Sequence, residues 1–172
     1  MDSNRGVPGE LNNPFFLTTE AGISEERKGN EMQIFPLFYY DWAFYSNIEA
    51  LKPWEDPAQY VPLLFAEWKR LKDGLVQLFE NRNPGSAEMP MKKGIGLFVE
   101  GLFWTNGQPA VVSSLDHAEN LAIKPVNLRE RLEFIMNRPT LYHSFIQLSE
   151  LMTELEKAFM KQMMLRKKRD VK

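Results

Sequence analysis

Residues 95–104 read Ile95-Gly96-Leu97-Phe98-Val99-Glu100-Gly101-Leu102-Phe103-Trp104. Within residues 91–105, Ile95, Leu97, Phe98, Val99, Leu102, Phe103 and Trp104 fall on every side of a helical wheel. A helix that is apolar all round is a buried helix, so this segment is the expected centre of the fold. Gly94 and Gly101 are seven residues apart and share one face, where they would let a neighbouring backbone come close. Each costs about 1 kcal/mol of helix propensity relative to alanine. The pair Gly94-x-Gly96 is a poor dinucleotide loop, because the third glycine comes two positions late and no strand precedes it. Asn106-Gly107 is expected to end the helix.

On either side the pattern is helical. Asp56 reads as an N-cap and Pro57 suits the first helical position. Tyr60, Leu64, Trp68, Leu71, Leu75 and Leu78 then recur at steps of three or four, and Lys69, Arg70, Lys72, Asp73, Gln77 and Glu80 make the wet face. Residues 81–90 read as a loop. The densely aromatic stretch 33–54 predicts a helix over 37–51, broken by Pro53 and Pro57. Residues 108–125 are the least periodic, with a short helix to Ala122 capped by Ser114 or Asp116. Asn127, with Glu130 three positions on, reads as a capping box for a helix over 128–137. Pro139 stops it. A last helix is expected over 140–168, with Leu141, Phe145, Leu148, Met152, Leu155 and Phe159 as an a/d seam. No strand alternation of useful length occurs. The fold class is therefore all-α: a single-domain bundle of five or six helices over 32–168, an extended N-terminal arm over 1–31 docking through Phe15 and Phe16, and a basic tail at 169–172.

The chain has 172 residues, 44% of them hydrophobic, and no cysteine. Disulfides, thiolate zinc sites, iron–sulfur ligation and a cysteine nucleophile are excluded. No apolar run reaches membrane-spanning length, and the polar start lacks a signal-peptide core, so a cytoplasmic protein is expected. The net charge of −2 hides an asymmetry. Residues 161–172 hold six basic residues and one acid, a charge of +5, which leaves −7 for the rest.

Few residues are suited to catalysis. The two histidines, His117 and His143, belong to no ligand motif, so no metal, cofactor or catalytic set is expected. No nucleophile elbow surrounds Ser113 or Ser114. Two carboxylates look misplaced. Glu67 sits within an apolar stripe, and Glu100 is the one charge between Ile95 and Trp104. A buried carboxylate must be neutralised, hydrogen-bonded or paired. Arg129, Arg131 and Arg138 are the cationic partners within reach of the reading. Glu67, Glu100 and Arg131 thus form either a polar pocket for a small molecule or cation, or a buried ion pair that sets helix register. Arg166, Lys167, Lys168 and Arg169 could meet nucleic acid or an acidic partner, or could simply complement a solvated helix end. Trp42 and Trp54 are candidates for an exposed aromatic surface, against the simpler reading of core. The seam of the last helix could pack within the bundle or form a homodimer.

The start Pro8-Gly9-Glu10-Leu11-Asn12-Asn13-Pro14-Phe15-Phe16, the Lys52-Pro53-Trp54-Glu55 stretch and Trp68 resemble the YpoC-like proteins of Bacillus-type bacteria. The resemblance carries over no catalytic residue. It implies a genomic setting beside a replication-initiation protein and a base-excision endonuclease, which favours a nucleic-acid link slightly. The expected function is a non-enzymatic protein-interaction or adaptor module. The alternatives are a nucleic-acid accessory protein using the basic last helix, and a ligand-binding bundle built on Glu67 and Glu100.

Overall fold

The structure, a computed structural model, describes residues 6–16 and 31–171. Among the described residues the fold is all-α, with six α-helices and no strand. They are α1 (Tyr39–Tyr45), α2 (Pro57–Glu80), α3 (Glu88–Thr105), α4 (Asp116–Glu119), α5 (Leu128–Asn137) and α6 (Tyr142–Asp170).

Helix α3 is the centre. Thirteen of its residues, from Met91 to Thr105, are buried, including Phe98, Phe103 and Trp104. It packs chiefly on α2 and then on α6. Gly94 and Gly101 show how closely. A Cβ on Gly94 would lie 2.7 Å from the Trp68 ring and 3.0 Å from Leu148, so that site has no room for one. At Gly101 the neighbours, Leu64 and Leu155, stand at 3.6 and 3.7 Å, which is ordinary contact. One face of α3 therefore touches both long helices, Trp68 and Leu64 from α2, and Leu148 and Leu155 from α6.

Helix α2 buries Val61, Leu64, Phe65, Trp68 and Leu75, with Tyr60, Leu71 and Leu78 partly covered beside them. Five of the six seam residues of α6 are buried within the chain: Phe145, Leu148, Met152, Leu155 and Phe159. The seam is thus covered by the bundle itself. Leu141 lies before the helix and is exposed.

Several boundaries differ from the sequence expectation. Helix α1 is seven residues long instead of running to residue 51. Both of its ends are set by residues in the left-handed region, Phe38 (φ 63°) and Asn47 (φ 57°). The Ile48 amide bonds back to the Ala43 carbonyl at 2.8 Å and the Asn47 amide to Phe44 at 3.2 Å, a Schellman-type end built on asparagine instead of glycine. Helix α3 starts at Glu88, so Pro90 lies in its first turn, where its missing N–H costs nothing. Asp56 and Asn127 occupy the N-cap positions of α2 and α5, but neither side chain makes a capping hydrogen bond, so the expected capping box is not formed. Helix α6 runs to Asp170, which places Arg169 inside the helix instead of in a tail.

Residues 6–16 lie against the bundle. The Glu10 carbonyl accepts from the amides of Val112 (2.8 Å) and Ser113 (3.1 Å), and the Asn13 side chain donates to the Val112 carbonyl at 2.8 Å. Phe16 meets Phe38 edge to face, with ring centroids 5.3 Å apart. The remainder of the expected arm, residues 1–5 and 17–30, lies outside the described residues.

Gly94 and Gly101 of α3 should respond oppositely to alanine. Gly94→Ala is expected to destabilise by about 1–3 kcal/mol, because the added carbon meets a rigid indole. Gly101→Ala is expected to be neutral or to stabilise by up to about 1 kcal/mol through helix propensity. Chemical denaturation of the two variants checks this, and equal losses at both sites would contradict the packing described.

Candidate functional site

The polar groups inside the bundle gather where α1 meets the second half of α3. Asp41, from α1, is fully buried. Its Oδ1 accepts from the Trp104 indole at 3.1 Å and from the Ala110 amide at 2.6 Å. Its Oδ2 is buried with no hydrogen-bond partner. Burial pushes its pKa from an ordinary 3.8 up to about 6, and the two donors hold back part of that rise. Tyr45, one turn further along α1, is pushed up to about 12, first by its own burial and then by the negative charges of Asp41 and Glu10.

Glu100 makes the reciprocal connection. From α3 its Oε2 accepts the amide of Phe38 at 2.7 Å. Phe38 is the N-cap residue of α1, so a carboxylate from another helix takes one of the orphan donors at that helix start. The favourable end of the α1 dipole lies there as well. Six residues beyond, the Asn106 side chain spans to the next segment, donating to the Ile123 carbonyl (2.8 Å) and accepting the Ile123 amide (2.9 Å). Glu100, Trp104 and Asn106 thus tie the end of α3 to the start of α1, to Asp41 within α1 and to the segment at Ile123.

This cluster differs from the pocket expected from sequence. Glu100 is buried, as its setting implied, but Glu67, whose side chain is 14% exposed, is paired with the exposed Arg70 of its own helix. Arg131 binds Glu154 of α6 and the Val126 carbonyl. Glu67, Glu100 and Arg131 therefore serve three separate contacts. Asp41 is the functional group that sequence reasoning passed over. Its signal was present: it is the one charged residue between Glu31 and Glu49, set inside an aromatic run. Neither Asp41 nor Glu100 exposes a surface to solvent that a substrate could reach, so the cluster as it stands is a structural clamp.

The other candidates lie apart from this cluster. Trp54 is buried beneath Phe44, with ring centroids 5.3 Å apart, and Trp42 is half-buried against Tyr39. The turn Pro53–Glu55 carries Trp54 inward just before α2 starts. The aromatic ring exposed there is Phe44, with the Lys52 ammonium 5.7 Å from its centroid. Arg129 pairs with Asp116 and Glu133, and hydrogen bonding from its guanidinium holds the Asp116 carboxyl below the ordinary range. With Arg129 and Arg131 both engaged by carboxylates, no continuous basic face runs from α5 to the C-terminus among the described residues.

The end of α6 is different. Its last buried residue is Phe159. From there the helix continues over residues 160–170, roughly 16 Å at the α-helical rise, with Met160, Met164 and Leu165 exposed. Arg166, Lys167, Lys168 and Arg169 lie on this overhang and form no ion pair among the described residues. Among the described residues no group of three potential ligands could hold a metal ion, and no helix is long and apolar enough to cross a membrane.

A family model described as YpoC-like protein matches residues 58–167, which run from the first turn of α2 almost to the end of α6. A curated protein of Bacillus subtilis (strain 168), "Uncharacterized protein YpoC", is 43% identical over 127 residues, 72% of this chain and 75% of its own length. No solved structure matches.

The raised pKa of Asp41 gives a pH prediction. Its folded value lies above its unfolded one, so the folded state keeps the proton longer. This contribution is fully present below about pH 4 and is lost as pH rises through about 6. Asn at this position keeps the Oδ1 acceptor for Trp104 and Ala110 and cannot ionise. The stability of Asp41→Asn relative to the parent should therefore rise by about 2 kcal/mol between about pH 4.5 and pH 7. Urea unfolding at both pH values measures it, and a pH-independent difference would contradict the assignment.

Proposed function

The chain belongs to the YpoC-like family, and we propose that it is a non-enzymatic, cytoplasmic interaction module whose working surface is the overhanging end of α6. One observation carries the reading. Over residues 160–170 an α-helix that still rests Met163 on the edge of the core exposes two methionines and a leucine, beside a run of basic residues that forms no ion pair among the described residues. A helix of mainly polar surface has little reason to continue that far from its bundle on its own account, because isolated short helices are marginal in water. An apolar stripe flanked by cations fits a partner with an apolar groove and an acidic rim, and methionine adapts well to such a groove. The groups that could do chemistry support the same reading, since Asp41 and Glu100 are both occupied in holding backbone and indole N–H groups inside the bundle.

A second reading, nucleic-acid binding, is favoured by the absence of ion pairs at Arg166, Lys167, Lys168 and Arg169 among the described residues. Capture from the native host separates the two. With the full chain as bait, a specific protein should co-purify, survive nuclease treatment and be lost on Met160→Asp/Met164→Asp. Capture abolished by nuclease, or a DNA shift that disappears with Arg166→Glu/Arg169→Glu and falls steeply with salt, would replace the adaptor reading with the nucleic-acid one.

A further inference from the structure

From its outer face we infer that α6 is a self-docking surface: a second copy of this chain binds along it, turned end for end. This rests on the reading of α6 as a docking element and goes further by naming an occupant. The buried seam of α6 has a counterpart on the opposite side of the helix. Ile146, Glu150, Thr153, Lys157, Met160 and Met164 recur in steps of four and three, the spacing of a helix-pairing face. All but Ile146 are exposed, and Ile146 is partly so.

This face is divided by charge. Its first half carries Glu150 and, at its edge, Glu154. Its second half carries Lys157 and Lys161, with Lys167 and Lys168 beyond. Pairing two copies in parallel would set lysines on lysines and glutamates on glutamates. Pairing them antiparallel about a two-fold axis near residue 155 sets unlike halves together. That arrangement is isologous and closes as a dimer. Ile146 then lies across from Met164 of the second copy. Glu150 lies across from Met160 of the second copy, between its Lys157 and Lys161.

The surface shape agrees with this register. An open groove of about 360 Å³ between α5 and α6 is lined by Arg131, Ile146, Ser149, Glu150, Thr153 and Glu154. It runs along the acidic half, where the register places the methionines of the other copy. Ile146 gives them an apolar wall, and Glu150 meets the flanking ammonium groups, while Glu154 holds Arg131 at the groove's edge. A polyanion fits this face less well, because the same stripe would hold two carboxylates against it. The pattern calls for a helix with the reversed order of charges, and the chain supplies one.

Sedimentation equilibrium of the full chain tests the inference. In low salt, about 50 mM, a concentration-dependent dimer is expected, weakening as salt rises towards about 500 mM. Glu150→Lys and Lys161→Glu should each weaken association about tenfold, and the double variant Glu150→Lys/Lys161→Glu should return it to near the parent value. Both positions are exposed, and circular dichroism melts confirm that the variants fold. A chain that is monomeric at every concentration in low salt overturns the inference, as does a double variant that stays as weak as the singles. If that chain still captures its partner protein through Met160 and Met164, the interaction-module reading stands without the dimer. If the dimer forms with charge-swap rescue but nothing is captured, the dimer stands and that reading falls.

Discussion

Two carboxylates exchanged between α1 and α3 hold the molecule's irregular half in place. Glu100 of α3 takes the N-cap amide of α1, and Asp41 of α1 takes the indole of Trp104 on α3. The exchange answers a need on each side. A helix apolar all round leaves a carboxylate in its middle with no water to solvate it. A seven-residue helix leaves its first amides without partners and has too few turns to be stable alone. Each element supplies what the other lacks. A buried polar group left unmatched would cost on the order of 1–3 kcal/mol, so the pairing weighs heavily against a total stability of about 5–15 kcal/mol. The same Asp41 oxygen also accepts the Ala110 amide, which extends the tie to the segment that receives residues 10–13.

How much of this could be read in the sequence follows from what each feature depends on. The long helices α2 and α6 and the buried α3 were legible because their side chains repeat with the helical period and face one core. The seven-residue spacing of Gly94 and Gly101 marked the face of α3 that meets the long helices, but side chains and not a backbone approach there, closely at Gly94 and at ordinary contact distance at Gly101. Helix α1 was read too long, because Phe38 and Asn47, and not glycine or serine, set its ends, and neither carries a strong local signal. Asp56 and Asn127 marked helix starts correctly although their side chains make no capping bond. Trp54 is core, the simpler of the two readings that its aromatic setting allows, and the turn at Pro53 and not residue type decides it. Glu100 stood out as a charge within an apolar helix. Its partner was a backbone amide 62 residues away, which no periodicity can indicate. Asp41 carries a signal, a lone charge in an aromatic run, but its partners, Trp104 and Ala110, lie 63 and 69 residues away.

The clamp also bears on function. The acids that could have served chemistry are held inside, and the cations Arg129 and Arg131 are engaged by surface carboxylates. What the bundle leaves open is α6, buried on one side as far as Phe159 and exposed on the other from Glu150 to its end. The same helix therefore supports the core with one stripe and offers the other. The near-neutral charge of the chain hides this, because the end of the chain is net basic and the rest is net acidic.

Native-state hydrogen exchange tests the clamp most directly. The amides of Phe38 and Ala110 and the indole N–H of Trp104 lie in or beside irregular segments, where exchange through local opening is normally fast. The account predicts that all three exchange only with global unfolding, and that Glu100→Ala releases the Phe38 amide to fast exchange while α2 and α6 stay protected. Fast exchange of these three groups in the parent protein would contradict it.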